Sequence, residues 1–130
     1  MQFMTTEWAE AYVNLWNNDE ILAKKLKNFS ATFQYTIKDR EDLESIIITV
    51  EKGQCTHFET EENFSGKKIE FTVLADSQEW TKVFNHEMSV KDVMKSSGFK
   101  FGGPKLKALS NKAGLERSVE ILLNMQSVTV

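Results

Sequence analysis

Four side chains that could do chemistry follow one another at alternate positions of a predicted strand. Because successive strand residues point to opposite sides of a sheet, one face of this strand is predicted to hold Cys55, His57, Glu59 and Glu61. A row of thiol, imidazole and carboxylate groups could bind a metal ion or form a Cys/His pair. We expect neither, because antiparallel sheets commonly keep one face in water with such polar rows.

Elsewhere the sequence has few residues typical of catalysis. It contains no glycine-rich phosphate loop, no zinc motif with paired histidines, no paired cysteines and no Gly-x-Ser-x-Gly elbow. His86 and Glu87 lie in a predicted turn between helices, where a polar pair is expected. We therefore predict no catalytic residue, no cofactor and no metal site.

Length and composition predict one domain over residues 1–130, with a sizeable buried core. The longest aliphatic run is only Ile46-Ile47-Ile48, so no membrane-spanning segment is expected. The N-terminus lacks the basic and apolar regions of a signal peptide, and the C-terminus is not a peroxisomal address. A single cysteine, Cys55, suits a reducing compartment. These features predict a cytoplasmic protein, with monomer and dimer both open.

Charge is distributed unevenly along the chain. Residues 1–90 hold 9 basic and 16 acidic side chains, a net charge of −7, whereas residues 91–130 hold 7 and 3, a net charge of +4. Ordinary exposed helix faces are one explanation of the basic C-terminal third, and transient contact with an anionic membrane surface is another. No nucleic-acid partner is expected, because the chain is acidic overall and no basic strand alternates with aromatic residues.

Apolar residues recur at helical spacing near both ends of the chain. The first predicted helix follows Thr5 or Thr6, and the second begins at Asp19. Their apolar faces hold Trp8, Tyr12, Leu15, Trp16, Leu22, Leu26 and Phe29. Near the C-terminus, Gly114 is expected to separate a short helix from a last amphipathic one.

Strict alternation of apolar and polar residues predicts four strands, at 32–38, 46–51, 54–62 and 69–75. Short connections between them imply an antiparallel meander with one face in water. Helices from both ends of the sequence are expected to cover the other face. The predicted fold class is therefore α+β, with an antiparallel-dominated sheet of about five strands once a short strand at 99–102 is included.

Two capped helices are predicted between the fourth strand and this short one. Each begins with a capping pattern, Asp76 with Glu79 and Ser89 with Asp92. Gly98 stands where a left-handed helix end is expected.

This middle stretch, from Leu74 to Gly103, resembles the sterol carrier protein family, a lipid-transfer domain. That family runs from a sheet strand into a capped helix with a Trp or Leu anchor, then a second helix, a strand that begins and ends with Gly, and C-terminal helices. The matching residues are Asp76, Trp80, Phe84, Val93, Gly98, Phe101 and Gly102. Order and length agree over roughly the whole chain. Two departures leave the ligand open: Asn85-His86 replaces a glycine turn, and Pro104 stands where a polar cap is common.

Methionine and aromatic residues are frequent in the C-terminal half. Spacing alone favours ordinary packing of these residues against one another. The resemblance implies instead an apolar cavity between the sheet and the helices, where such side chains adapt to variable guests. On that basis the candidate ligand-binding residues are Trp80, Phe84, Met88, Met94, Phe99, Phe101, Leu106, Leu109 and Leu122.

The function that the resemblance implies is non-enzymatic binding of a lipid-like small molecule, such as a fatty acyl chain or a sterol, with transfer as a further role. Two alternatives stay open. A pocket enzyme of the ketosteroid-isomerase kind would need an acid or Tyr on the pocket face, and its helices would not return after the strands as they do here from Asp76. A protein-interaction module would instead bury its apolar surface against a partner.

Overall fold

A computed structural model of the chain describes residues 1–66 and 68–130, and within these it has six helices and five strands. The helices are α1 (Thr6–Asn17), α2 (Glu20–Lys25), α3 (Ser77–Phe84), α4 (Val90–Lys95), α5 (Lys105–Ser110) and α6 (Lys112–Asn124). The strands are β1 (Ala31–Ile37), β2 (Ile46–Glu51), β3 (Gln54–Thr60), β4 (Phe71–Ala75) and β5 (Lys100–Gly102).

The strands form one sheet in the order β3-β2-β1-β4-β5. Three of the four strand pairs are antiparallel, so the predicted α+β class with an antiparallel-dominated sheet is confirmed. The predicted meander is wrong at β4, which pairs in parallel with β1 and sets Phe33 beside Phe71 and Tyr35 beside Val73. Alternation identifies a strand and its faces but not its neighbour, and a parallel neighbour needs a crossover that the periodicity does not reveal.

Helices cover the sheet face formed by alternate strand residues. In β1 this face holds Phe33 and Tyr35, which are 4% and 2% exposed, and in β2 it holds Ile48 and Val50. The opposite face is mostly polar as predicted, but Ile47 and Leu74 also lie on it. Ile47 lies there between Gln34 and Glu59 of the neighbouring strands and is buried.

Two of the predicted capping residues, Thr5 and Ser89, accept the expected backbone hydrogen bonds, and Asp19, the predicted start of the second helix, also caps it. Thr5 Oγ1 accepts from Trp8 N, Asp19 Oδ2 accepts from Leu22 N, and Ser89 with Asp92 forms a complete capping box. These bonds satisfy amides that have no partner inside the helix, which is why the helices begin there.

For α3, the predicted capping hydrogen bond is wrong, although the predicted N-cap residue is in place. Asp76 occupies the N-cap position but its side chain accepts no capping hydrogen bond. Asp39, in the loop after β1, instead accepts from Ser77 N at 2.7 Å and from Ser77 Oγ at 2.8 Å. Because β1 and β4 are parallel neighbours, the loop after β1 lies next to the start of α3.

Two predicted glycine stops are also wrong. Gly114 lies inside α6, and a Cβ atom there would come within 2.3 Å of Leu26 Cδ2. The absence of a side chain therefore allows α6 to approach α2 closely. Helix α4 ends at Lys95, and Gly98 does not have the left-handed conformation. A Cβ atom on Gly98 would meet the Glu79 side chain at 2.6 Å, so this glycine also permits a close approach.

Candidate ligand-binding cavity

A cavity of about 190 Å³ lies between the helix-covered sheet face and helices α3 to α6. Strands β1 and β4 form its floor, and the helices and β5 form its walls. The apolar residues of the floor and of the helical wall are Phe33, Tyr35, Phe71, Val73, Trp80, Val83, Val93, Ala108, Leu115, Val119 and Leu122. The parallel pairing of β1 with β4 places Phe33 beside Phe71 and Tyr35 beside Val73 in this floor.

The cavity opens near β5, because the lining residues that are exposed to solvent cluster there. They are Thr72, Met94, Phe101, Gly102, Gly103 and Lys105. Among the described residues of the wall, Lys105 is the one that bears a charge, and it stands at this opening. The interior that these residues enclose is therefore apolar, with a positive charge at its entrance.

Trp80 forms the part of the wall that joins α3 to the sheet. Its side chain is 1% exposed, and its ring packs edge-on against Phe99 at a centroid distance of 5.0 Å and lies tilted against Phe3 at 4.7 Å. Its Nε1 donates to the backbone oxygen of Thr36 at 3.0 Å. This bond leaves a purely aromatic surface to face the cavity.

Polar groups at the inner end of the cavity are neutral hydroxyls. Tyr35 lines the cavity, and its hydroxyl lies 3.4 Å from the Tyr12 hydroxyl. The Tyr12 hydroxyl donates to the backbone oxygen of Ser118 at 2.9 Å. Burial raises the pKa of both tyrosines above the usual value, because the interior disfavours the phenolate. The inner end can thus exchange a hydrogen bond with a ligand but offers it no charge.

Comparison with known proteins identifies the family. A sequence model of the SCP-2 sterol transfer family matches residues 10–116. The chain belongs to this family. The resemblance drawn from residues 74–103 is therefore confirmed, and the match extends over most of the chain. A search of curated protein sequences gave no significant match.

Solved structures show the same fold at low sequence identity. A crystal structure of sterol carrier protein 2 has a TM-score of 0.75 at 15% identity, over 95% of this chain and 98% of that one. A solution structure of a possible sterol carrier protein from Thermus thermophilus gives 0.74 at 16% identity, over 98% and 92%. A solution structure of palmitated SCP2L2 from Aedes aegypti gives 0.57 at 15% identity, over 95% and 94%.

The structure brings five of the nine predicted site residues to the cavity of this SCP-2 fold. They are Trp80, Met94, Phe99, Phe101 and Leu122. Trp80, Phe99 and Leu122 are buried, whereas Met94 and Phe101 are each 41% exposed at the opening. The contact of these residues with a ligand stays a prediction.

The other four predicted residues do not line this cavity. Phe84 is buried in the core, where it packs against Phe3 at 4.8 Å. Met88 is half-buried against the core before α4. Leu106 and Leu109 lie on the outward side of α5 and are 81% and 69% exposed. Their spacing predicts a helix, and a helix forms. The less exposed residues of α5 are, however, Lys107 and Ala108.

The cavity floor was missed as a site. Alternation of apolar and polar residues predicts that Phe33, Tyr35, Phe71 and Val73 lie on the helix-covered face. That alternation is the one feature of the sequence that could have indicated the floor. What the sequence did not show is that their two strands are neighbours. Ser118 and Val119 of α6 were also missed, because one face of a helix gives no information about which strand it will meet.

The row of candidate metal or Cys/His residues does not form. A register irregularity between Thr49 and Val50 pairs Val50 with Cys55 but Thr49 with His57. Cys55 therefore lies buried on the core side of the sheet, and His57 is exposed on the other. Such an irregularity inserts one extra residue and reverses the facing of everything beyond it. Burial raises the pKa of the Cys55 thiol to about 12.

Helices of the described segments, 1–66 and 68–130, include none with the length and apolar character that a membrane crossing requires.

Proposed function

We propose that this chain binds a lipid-like ligand, a fatty acyl chain or a sterol, in the cavity between its sheet and helices α3 to α6, and carries it without chemical change. The observation that supports this most directly is the apolar interior of the cavity, with Lys105 at the entrance. Apolar walls with few polar groups suit an apolar guest. Membership of a family named for sterol transfer supports the same proposal.

The ligand that we propose has one polar end and a long apolar part. Aromatic faces of Trp80 and Phe99 and the flexible side chain of Met94 can adapt to a chain or a ring system. The hydroxyl of Tyr35, which lines the cavity, could exchange one hydrogen bond with the ligand. Lys105 at the opening suits an anionic end group in the opposite orientation.

The volume of the cavity implies that it widens when a ligand enters. About 190 Å³ is smaller than the roughly 300–1,000 Å³ typical of small-molecule sites. Among the helices of the wall, α5 can move outward most easily, because it is the one in which no residue is buried. Its outward movement would enlarge the opening without disturbing the sheet.

An enzyme of the ketosteroid-isomerase kind receives less support from the same cavity. Tyr35 is a residue that such an enzyme would need on the pocket face. Among the described residues of the wall, however, none is Asp or Glu. The raised pKa of Tyr35 also makes its phenolate a poorly available base at neutral pH.

We also propose that residues 1–130 act as one domain in the cytoplasm. The buried free thiol of Cys55 suits a reducing compartment, where disulfides are rare.

Native mass spectrometry of the purified protein tests the proposal. We expect a fraction of the protein to retain a co-purified lipid, and the delipidated protein to bind a fluorescent long-chain fatty acid or sterol with a Kd near the micromolar level, about −8 kcal/mol. An oligomer that forms without any saturable probe binding would contradict the proposal and favour the interaction module.

A further inference from the structure

The connection from β3 to β4 lies against the polar face of the sheet. Because the strand order is β3-β2-β1-β4-β5, this connection must pass β2 and β1 to reach β4. At its start, Glu62 N donates to Glu44 Oε1 at 3.0 Å, and near its end Thr32 Oγ1 donates to the backbone oxygen of Lys68 at 2.7 Å. Both ends of the connection are therefore fixed to the rest of the sheet.

A groove of about 780 Å³ lies between this connection and the polar face of the sheet. We call it the polar groove. It is separate from the apolar cavity, which lies on the helix-covered face. Carboxylate, imidazole, ammonium and aromatic side chains all line it, and they belong to Glu51, His57, Glu59, Phe64, Lys68 and Glu70. Its volume falls in the range of roughly 300–1,000 Å³ that is typical of small-molecule sites.

The three carboxylates of the polar groove differ in what they bind. Both oxygens of Glu70 accept from Lys107 Nζ, at 3.1 and 2.9 Å, and Glu51 Oε1 accepts from Thr56 Oγ1 at 3.0 Å. Glu59 Oε2, in contrast, is shielded from solvent and has no hydrogen-bond partner among the described residues. A carboxylate oxygen removed from water without a partner is costly, and a cation in the groove would remove that cost.

The aromatic side of the polar groove is the half-buried ring of Phe64. A Cβ atom on Gly66 would come within 2.3 Å of Phe64 Cζ, so the ring lies directly against the backbone of this glycine. The face of an aromatic ring attracts a cation through its quadrupole, and quaternary ammonium groups are recognised in this way. The groove thus combines a carboxylate without a partner with an aromatic ring.

We propose that the polar groove binds a small, free organic ammonium ion between the carboxylate of Glu59 and the ring of Phe64. This site goes beyond the lipid-binding function and does not depend on it. A metal ion suits the groove less well, because the groove is much larger than a coordination sphere and a phenyl ring is not a metal ligand. Lys68 also lines the groove and repels a cation, so its removal gives a test with the opposite sign.

The test is an NMR titration of the full chain with choline and with 3,3-dimethylbutan-1-ol, which has the same shape but no charge. We expect choline to shift the amide signals of Thr49 and His57 in a saturable way, with a Kd of about 1 mM for so small a probe. The signal of Val119, which lines the apolar cavity on the other face, should not move. The uncharged alcohol should leave the signals of Thr49 and His57 in place.

Four variants identify the groups that hold the cation. Glu59→Gln should weaken choline binding at least about fivefold, because it removes the charge but keeps the shape. Phe64→Leu should weaken it roughly threefold, because the side chain stays apolar but loses its ring. Lys68→Gln should tighten binding about twofold. The matched control is Glu61→Gln, an exposed position just after β3, which should bind like the wild type. The amide spectrum of each variant shows whether it is folded.

Three results would overturn the proposal. One is an equal response to choline and to the uncharged alcohol, since it would show that charge is not recognised. Another is wild-type affinity in a folded Glu59→Gln variant, or tighter binding there with weaker binding in Lys68→Gln. The third concerns the source of the ammonium group: sedimentation with phosphatidylcholine vesicles that is lost in Glu59→Gln would assign the groove to a lipid headgroup. We expect no such sedimentation, because the connection covers the groove.

Discussion

Trp80 Nε1 donates a hydrogen bond to the backbone oxygen of Thr36, 3.0 Å away, and so fastens helix α3 to strand β1. The bond satisfies the one polar atom of the indole and turns its aromatic face toward the cavity. This part of the cavity wall, in helix α3, is thus attached directly to the sheet. The parallel pairing of β1 with β4 makes this possible, since it places the end of β1 next to the start of α3.

Comparison of Trp80→Phe with Trp8→Phe measures the value of this bond. Both indoles are almost fully buried, but Trp8 Nε1 has no hydrogen-bond partner among the described residues. The same atoms are deleted in each variant, so the lost packing is similar. We expect Trp80→Phe to lower the free energy of unfolding by about 1 kcal/mol more than Trp8→Phe does, in denaturant titrations. Equal losses would show that the bond to Thr36 contributes nothing.

The thiol of Cys55 should be unreactive in the folded protein. Burial raises its pKa to about 12, so almost no thiolate exists at neutral pH. Alkylation monitored by mass spectrometry should be slow in buffer and fast in denaturant. The unfolded thiol has a pKa of about 8.5, so the folded state holds its proton more tightly and stability should decline as pH rises from there toward 12. Rapid stoichiometric labelling of the native protein at neutral pH would contradict the buried placement.

Asp19 links the start of α2 to α6 through Arg117. Its Oδ1 accepts from Arg117 Nη2 at 2.7 Å, and this bond holds the pKa of the carboxyl below its usual value. The pair stabilises the protein above the unfolded pKa of about 3.9, and the gain is lost as pH falls through the folded pKa. Asp19→Asn keeps a capping side chain but removes the charge. We therefore expect the free energy of unfolding to fall by about 1 kcal/mol at neutral pH, and this difference from the wild type to disappear in acid.

The control for this measurement is Asp42→Asn, which removes an exposed ion pair with Arg40. Water screens that pair, so its removal should have little effect on stability at neutral pH. If the free energy of unfolding depended on pH in the same way in both variants, the ion pair between Asp19 and Arg117 would not stabilise the protein more than an exposed pair does.

Glu70→Gln should speed ligand exchange. The substitution keeps the size of the side chain but removes the charge that holds Lys107, and with it α5, against the sheet. A loss of about 0.5–1 kcal/mol in this attachment corresponds to roughly two- to fivefold faster release of a fluorescent fatty acid in stopped flow. Glu41→Gln, at an exposed position, should release the probe at the wild-type rate. Identical rates in both variants would mean that α5 does not control exit.

Local patterns in the sequence predicted most elements of the fold but not their neighbours. Alternation identified the buried faces of Phe33 and Tyr35, and spacing identified the Ser89–Asp92 capping box, because both are consequences of a few consecutive residues. The parallel neighbour of β1, the hydrogen bonds from the start of α3 to Asp39 and the contact of Gly114 with Leu26 join distant parts of the chain.

The cavity was therefore predicted only in part. Trp80, Met94, Phe99 and Phe101 lie within one stretch, and the family resemblance pointed to them. Leu106 and Leu109 show the limit of the same reasoning. Helical spacing groups apolar residues on one side, but only the tertiary structure decides whether that side faces the core or the solvent. In α5 it faces the solvent.

A cavity-filling substitution with a matched control tests the central proposal most directly. Ala108 lines the cavity from α5, whereas Ala113 is exposed on the neighbouring helix α6, so Ala108→Trp and Ala113→Trp make the same change inside and outside the site. Each variant is titrated with a fluorescent long-chain fatty acid, and its unfolding is followed in denaturant. If the cavity is the ligand site, Ala108→Trp should weaken binding at least about tenfold. Its free energy of unfolding should fall by less than about 1 kcal/mol, because the ring enters open space. Ala113→Trp should bind the probe like the wild type. Saturable binding that is equally strong in both variants, or a wild type that binds no long-chain probe, would contradict the account.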